Sequence, residues 1–223
     1  MPAKNTVKQY VENGYYHVYN RGIDGREIYQ DDQDYKVFLS YLAYYLSPPP
    51  EKSEHKKLVS VAGKIFEGVA RLPNNYVDEV ELVAYALMPN HFHLLVFQKT
   101  RDGLPRLIQS LGTRFTMYFN KRHSRKGSLF ESRYKACLVE KEEYLLHLSR
   151  YIHLNPKALA DDLENAYSSY GDFVGQRSTE WLKPDHVSDY FNEKFSGTSY
   201  RDFVEGDVDS AKILGELVIE DTL

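Results

Sequence analysis

Cysteine is almost absent: Cys137 is the only one in 223 residues, so no internal disulfide can form and no thiolate cage can hold zinc. Any metal bound by this chain must take nitrogen and oxygen ligands, and the scarcity of thiols suits a reducing compartment. Long apolar runs are missing too. No stretch of eighteen apolar residues occurs, so no membrane-spanning helix is expected. The opening MPAKNTVKQY lacks the basic, apolar and small-residue blocks of a secretory signal, which leads to the expectation of a cytoplasmic protein with no membrane partner.

A general excess of positive charge is also lacking. Lys and Arg number 28 against 32 Asp and Glu, for a net charge of -4, which argues against an indiscriminate nucleic-acid binder. The average hides an asymmetry. Between Arg101 and Lys135 nine basic residues face only Asp102 and Glu131, whereas from Glu180 onward eleven acidic residues face Lys183, Lys194, Arg201 and Lys212. A cationic middle and an acidic end follow, and the acidic end could shield the basic centre.

What is present is the composition of a soluble globular chain, 42% hydrophobic and 27% charged, long enough for one compact domain with an appendage. Residues 15–20 (YYHVYN) read as a strand closed by Arg21-Gly22. Asp31 or Asp32 can cap a helix through YKVFLSYLAYYL, which Pro48-Pro49-Pro50 ends. Residues 48–76 read as a charged insertion, with a short helix around Lys64 to Glu67. VELVAYAL and HFHLLVF, separated by Met88-Pro89-Asn90, form a hairpin. Apolar positions from Leu104 to Phe119 recur at helical spacing and lead into the basic loop KRHSRKG. LFESRYKACLV reads as a strand, and EEYLLHLSRYIHLN as a helix stopped by Pro156. The order is β-α-β-β-α-β followed by α. It suits an α+β, ferredoxin-like or RRM-like core with both helices on one face of an antiparallel sheet, over residues 1–175, with a helical acidic extension over 176–223.

Two local patterns can carry chemistry. His91 and His93 alternate on a strand, so both imidazoles face one side while Phe92 faces the other, a two-nitrogen platform for a divalent cation. Tyr151 and Asn155 lie four apart on the last core helix and share a face, so a nucleophilic phenol could sit beside a ligand. A tyrosyl phosphoester conserves the cleaved bond for rejoining, the usual reason for using a phenol on DNA. With an ordinary pKa of about 10, a phenol needs a base, a water or a cation's field to shed its proton. Tyr118, Tyr134 and Tyr144 are rival phenols, and His147, one turn before Tyr151, could move a proton or face solvent.

Five motifs read in order, YHVYNRG (16–22), AYALMPNHFHLLV (84–96), GSLFESRYKA (127–136), YLLHLSRYIHLNPKA (144–158) and YSSYGDF (167–173), resemble the REP-associated tyrosine transposases. These are relatives of the single-tyrosine HUH transposases of insertion sequences. The resemblance spans most of the chain and implies a metal-dependent single-strand DNA endonuclease and strand transferase acting on REP-type hairpin DNA. It implies His91 and His93 as ligands of Mg²⁺ or Mn²⁺, Tyr151 as nucleophile and Asn155 as a third ligand where the insertion-sequence branch carries a longer glutamine. Arg21, Arg114, Lys121, Arg122, Arg125, Lys126, Arg133 and Tyr134 are the expected DNA contacts, with Tyr134 stacking on a base. A monomer is expected, with a dimer as the alternative. An HUH replication initiator or relaxase-type nickase, or an inactive RRM-like nucleic-acid binder, are the competing readings.

Overall fold

Alternating apolar side chains commit four segments to one antiparallel sheet, because each must bury residues on two faces at once. The computed structural model describes residues 9–49, 56–61, 64–69, 74–159, 162–206 and 210–215. Strands β1 (Gly14–Arg21), β4 (Val80–Met88), β5 (His91–Gln98) and β6 (Lys135–Val139) pair in the order β4-β5-β1-β6. Pro89 and Asn90 join β4 to β5. This turn is pinned from outside, since the carbonyl of Pro89 accepts from the amides of Ile28 and Tyr29 and that of Asn90 from the amide of Gly22.

Helices α1 (Asp32–Leu46) and α2 (Gly103–Arg122) cover one face. Asp31 caps α1 by accepting from the amides of Gln33 and Asp34, two of the donors that every helix start leaves unpaired. Phe38, Leu42, Leu107, Leu111, Phe115 and Phe119 meet Val18, Phe92, Leu94 and Val96 there in one buried cluster. The expected α+β core with both of these helices on one face is what the structure shows.

The opposite face carries α3 (Glu142–Leu154) and a second cluster, in which Val83, Ala84, Ala86 and Leu95 meet Leu145, Leu148 and Ile152. Val187 and Phe191 of α5 (Asp185–Lys194), Tyr200, Phe203 and Val204 of α6 (Tyr200–Glu205) and Leu214 of α7 (Ser210–Leu214) belong to the same cluster. The acidic end of the chain thus supplies part of the core that holds α3. A short helix, α4 (Tyr170–Phe173), follows a segment that pairs with the β4 edge: the amide of Leu87 donates to the carbonyl of Tyr167, and that of Ser169 to Tyr85. That covers an edge strand otherwise open to pairing.

Three local expectations are corrected. Residues 64–67 are not helical; they lie in β3 (Lys64–Val69), which pairs with β2 (Lys56–Val61) in a separate two-stranded sheet. The β-branched and apolar alternation of KKLVSV and KIFEGV, interrupted at Ala62-Gly63, favours a hairpin over one helical turn. The strand expected over 129–139 begins only at Lys135. Residues 129–132 instead fold back on the end of β1, with the amide of Ile23 donating to Leu129, that of Glu131 to Arg21, and the Asn20 amide side chain to Ser132. Finally, Pro156 does not pull Asn155 out of helical geometry. Its φ and ψ are -51° and -43°, and the chain tightens into a 3-10 turn over Asn155–Ala158.

Candidate active site

Register places the site. Antiparallel pairing sets Tyr19 opposite His93 and Arg21 opposite His91 on β1 and β5, while Ala86 and Met88 of β4 stand on the other side of the same two histidines. Residues directly opposite share a face, so His91, His93, Tyr19, His17 and Arg21 all lie on the side that α3 covers. Ala84 and Ala86 are fully buried beneath α3, and their small side chains leave space for aromatic rings beside them.

Tyr151 of α3 is brought into that space. Its ring stands edge-on to His93 at a centroid distance of 5.5 Å and to His17 at 6.2 Å. His91 and His93 are perpendicular at 4.9 Å. The two histidines and the tyrosine singled out by spacing, 58 residues apart between His93 and Tyr151 in sequence numbering, therefore converge. Of the rival phenols, Tyr134 and Tyr118 pack with the first cluster and Tyr144 lies under Lys141. His147 turns to Ser210 Oγ, 3.3 Å away, and toward Phe203.

The donor set fits a divalent cation. His93 is fully buried, and its Nε2 has no hydrogen-bond partner, a costly state for a polar atom unless another group completes it. Burial, reinforced by the neighbouring His17 and His91, lowers its pKa well below the usual histidine value, which keeps the ring in the neutral form that ligates metals. His91 Nδ1 lies 2.6 Å from Asn90 Oδ1, an outer contact that orients a ligating imidazole. Asn155 is half-buried, and its Nδ2 donates to the carbonyl of Tyr151 at 2.9 Å, so the amide group lies back along the helix towards Tyr151. Among the described residues no three His, Cys, Asp or Glu side chains form a ready-made cage; two imidazoles leave the remaining positions to an amide, water and phosphate.

Three residues of the site escaped sequence reasoning. His17 and Tyr19 sit within YHVYNRG, but only the β1–β5 register brings them to His93. Lys135, counted among the basic residues, stands opposite Tyr19 on β6 with Nζ 5.7 Å from that ring's centroid. Strand alternation around His17 and Tyr19 was the available signal, though it cannot name the partner strand.

The expected DNA contacts divide. Lys121, Lys126 and Arg133 are exposed. Arg122 is held by Asp31 at 2.5 Å and by the fully buried Asp34 at 2.6 Å. Arg114 lies over the rings of Tyr41 and Tyr44 at 4.1 and 5.1 Å, and Arg125 donates to Asn120 and to the carbonyl of Ser128. Tyr134 hydrogen-bonds Tyr10 at 2.5 Å and, with Arg133, borders a groove of about 600 Å³ floored by Phe92, Ile108 and Phe130.

Residues 61–155, which run from the end of β2 to Asn155, match a protein-family model. The match is to the IS200-like transposases. Both histidines, Tyr151 and Asn155 fall within the IS200-like segment, whereas His17, Tyr19 and Arg21 precede it. The family is one of enzymes that cut and rejoin DNA. A solved REP-associated tyrosine transposase bound to a REP hairpin has a similar fold, with a TM-score of 0.53 and 12% identity over 79% of this chain and 92% of that one. No curated protein matches the chain. Among the described residues no helix is long and apolar enough to cross a membrane.

Proposed function

We propose that this chain is a metal-dependent single-strand DNA endonuclease and strand transferase that works through a 5′-phosphotyrosine on Tyr151. The observation that supports it is the convergence of the His91 and His93 imidazoles with the Tyr151 ring on one face of the sheet. His91 and His93 would hold Mg²⁺ or Mn²⁺, with Asn155 as a third ligand; the cation would supply Lewis-acid polarisation of the scissile phosphate and offset the charge growing on its oxygens. Arg21 and Lys135, on the same face, orient the phosphate on either side of Tyr19.

In cleavage Tyr151 Oη attacks phosphorus as its proton passes to solvent. The bond from phosphorus to the 3′ oxygen breaks, and that oxygen leaves with the electron pair and takes up a proton. The products are a 5′-phosphotyrosyl enzyme and a free 3′-hydroxyl. Attack by the same or another 3′-hydroxyl reverses the step and restores the phenol, without external energy, because one phosphoester replaces another.

Hairpin DNA is the proposed substrate. Exposed Lys121, Lys126 and Arg133 meet its phosphates, and a base stacks on Tyr134 at the groove beside α2. The protein acts in the cytoplasm as a monomer. The test is incubation of labelled single-stranded REP-type hairpins with protein and Mn²⁺, followed by denaturing gels. A shifted, labelled protein band is expected for the wild type and none for Tyr151→Phe, which should bind the hairpin with unchanged affinity because it loses one hydroxyl and little volume. Binding without any band would favour an inactive RRM-like binder instead, and a band without rejoined product would favour a nickase.

A further inference from the structure

Three imidazoles share the face beneath α3, and only two of them are accounted for by the metal-ligand reading. His17 is set diagonally to His93, because β1 pairs it with Leu95. Both rings are fully buried. They stack at 5.1 Å with an interplanar angle of 18°, and His17 Nε2 lies 2.9 Å from His93 Nδ1.

One proton must lie in that contact, since a hydrogen bond between two neutral imidazoles needs one donor and one acceptor. The two arrangements differ in what they leave at the far side of His93. If His17 Nε2 carries the proton, His93 accepts at Nδ1 and bears its own proton on Nε2. That atom would then be a buried N–H without a hydrogen-bond partner, turned away from any ligating role. If His93 Nδ1 carries the proton, it donates to His17, and Nε2 of His93 presents a lone pair. The second arrangement gives His93 the same state that the contact with Asn90 Oδ1 imposes on His91.

We propose that His17 is a positioning residue that holds His93 in its Nδ1–H tautomer, so that Nε2 of His93 faces the cation site with its lone pair. The inference rests on the reading of His91 and His93 as ligands, but it concerns a proton that the metal-free protein already carries and can be tested without metal. His17 acts through His93, much as a carboxylate or carbonyl does behind a ligating histidine elsewhere, and losing such a partner lowers metal affinity by about 10- to 100-fold.

The first measurement is imidazole ¹⁵N NMR on the metal-free wild type. His93 should show a protonated Nδ1 and a bare Nε2; a proton on Nε2 would overturn the proposal. The second is Mn²⁺ binding by calorimetry. His17→Phe keeps a ring but removes the acceptor, so its Mn²⁺ dissociation constant should rise about 10- to 100-fold. His17→Gln places an amide oxygen near the position of Nε2 and should return the constant to within about threefold of wild type. Wild-type affinity in a folded His17→Phe would overturn the proposal, as would equal losses in both variants. If His17→Phe does not fold, the wild-type spectrum decides alone. If the wild type binds no Mn²⁺, the ligand reading fails while the spectrum still reports the tautomer.

Discussion

Asparagine is one methylene shorter than glutamine, and at position 155 its amide is held against its own helix. Pro156 would ordinarily bias the preceding residue away from helical angles, yet Asn155 stays helical and its side chain reaches back to the carbonyl of Tyr151. The amide therefore moves with the turn of helix that carries Tyr151. On the proposed metal site, removing it in Asn155→Ala should slow formation of the covalent band at least tenfold in Mn²⁺ while hairpin affinity stays within about twofold, because loss of a third ligand beside two imidazoles would weaken metal binding and phosphate orientation more than DNA docking. Single-turnover gels give the rate and a filter-binding titration gives the affinity; an unchanged rate would remove Asn155 from the ligand set. The four-residue spacing made this pair readable in advance, since helical neighbours follow from spacing alone. His17 was not readable in that way. Its partner lies 76 residues away, and only strand order and register bring the two together.

α3 has to be held still if Tyr151 is to meet a phosphate, and a buried polar network does much of that work. His153 is fully buried; its Nδ1 lies 2.9 Å from the hydroxyl of Tyr200 and its Nε2 2.8 Å from Ser169 Oγ, linking α3 to α6 and to the segment that covers the β4 edge. Burial, and secondarily the charge of Arg177, lowers the pKa of His153 to about 3. The unfolded chain takes up a proton here near pH 6.5 while the folded one does not, so the stability contributed by the neutral ring is complete above that value and falls as the pH drops towards 3. Each unit costs about 1.4 kcal/mol. In urea unfolding, the wild type should lose about 2 kcal/mol more than His153→Gln between pH 6.5 and pH 5; equal losses would show that this ring does not set the acid stability of α3. The sequence pattern showed α3 and its apolar stripe, yet it did not show that Tyr200 and Phe203 complete the same core. Short helices in an acidic stretch carry little periodicity, and their role is visible only once packed. The hairpin of β2 and β3 was hidden for a related reason: six-residue strands fit one helical turn as easily as an extended run until their pairing is known.

Across the whole molecule, the cations of the middle segment fall into two groups, paired and exposed, which a charge count cannot separate. Arg122 is forked onto Asp31 and Asp34, and its hydrogen bond is the foremost cause that lowers the Asp31 pKa to about 2. Arg114 is stacked on α1 tyrosines. Both tie α1 to α2 and are spoken for before any DNA arrives. Lys121, Lys126 and Arg133 are exposed, and on a chain of net charge -4 they are the proposed source of attraction for phosphate. Counterion release then gives each class its own signature. Replacing Lys121, Lys126 and Arg133 together by alanine should flatten the plot of log affinity against log salt by about 2 units, at roughly 0.7 for each single-strand phosphate that is no longer neutralised, and leave the melting temperature nearly unchanged. Arg122→Ala should do the reverse: it takes the arginine charge from the buried Asp34 carboxylate and leaves it to Gln30, Tyr118 and His123, lowering the melting temperature, while the salt slope measured below that temperature stays the same. A triple variant with the wild-type slope would mean that the DNA follows another path across the protein, with Arg21 and Lys135, on the face that bears Tyr151, as the next cations to replace.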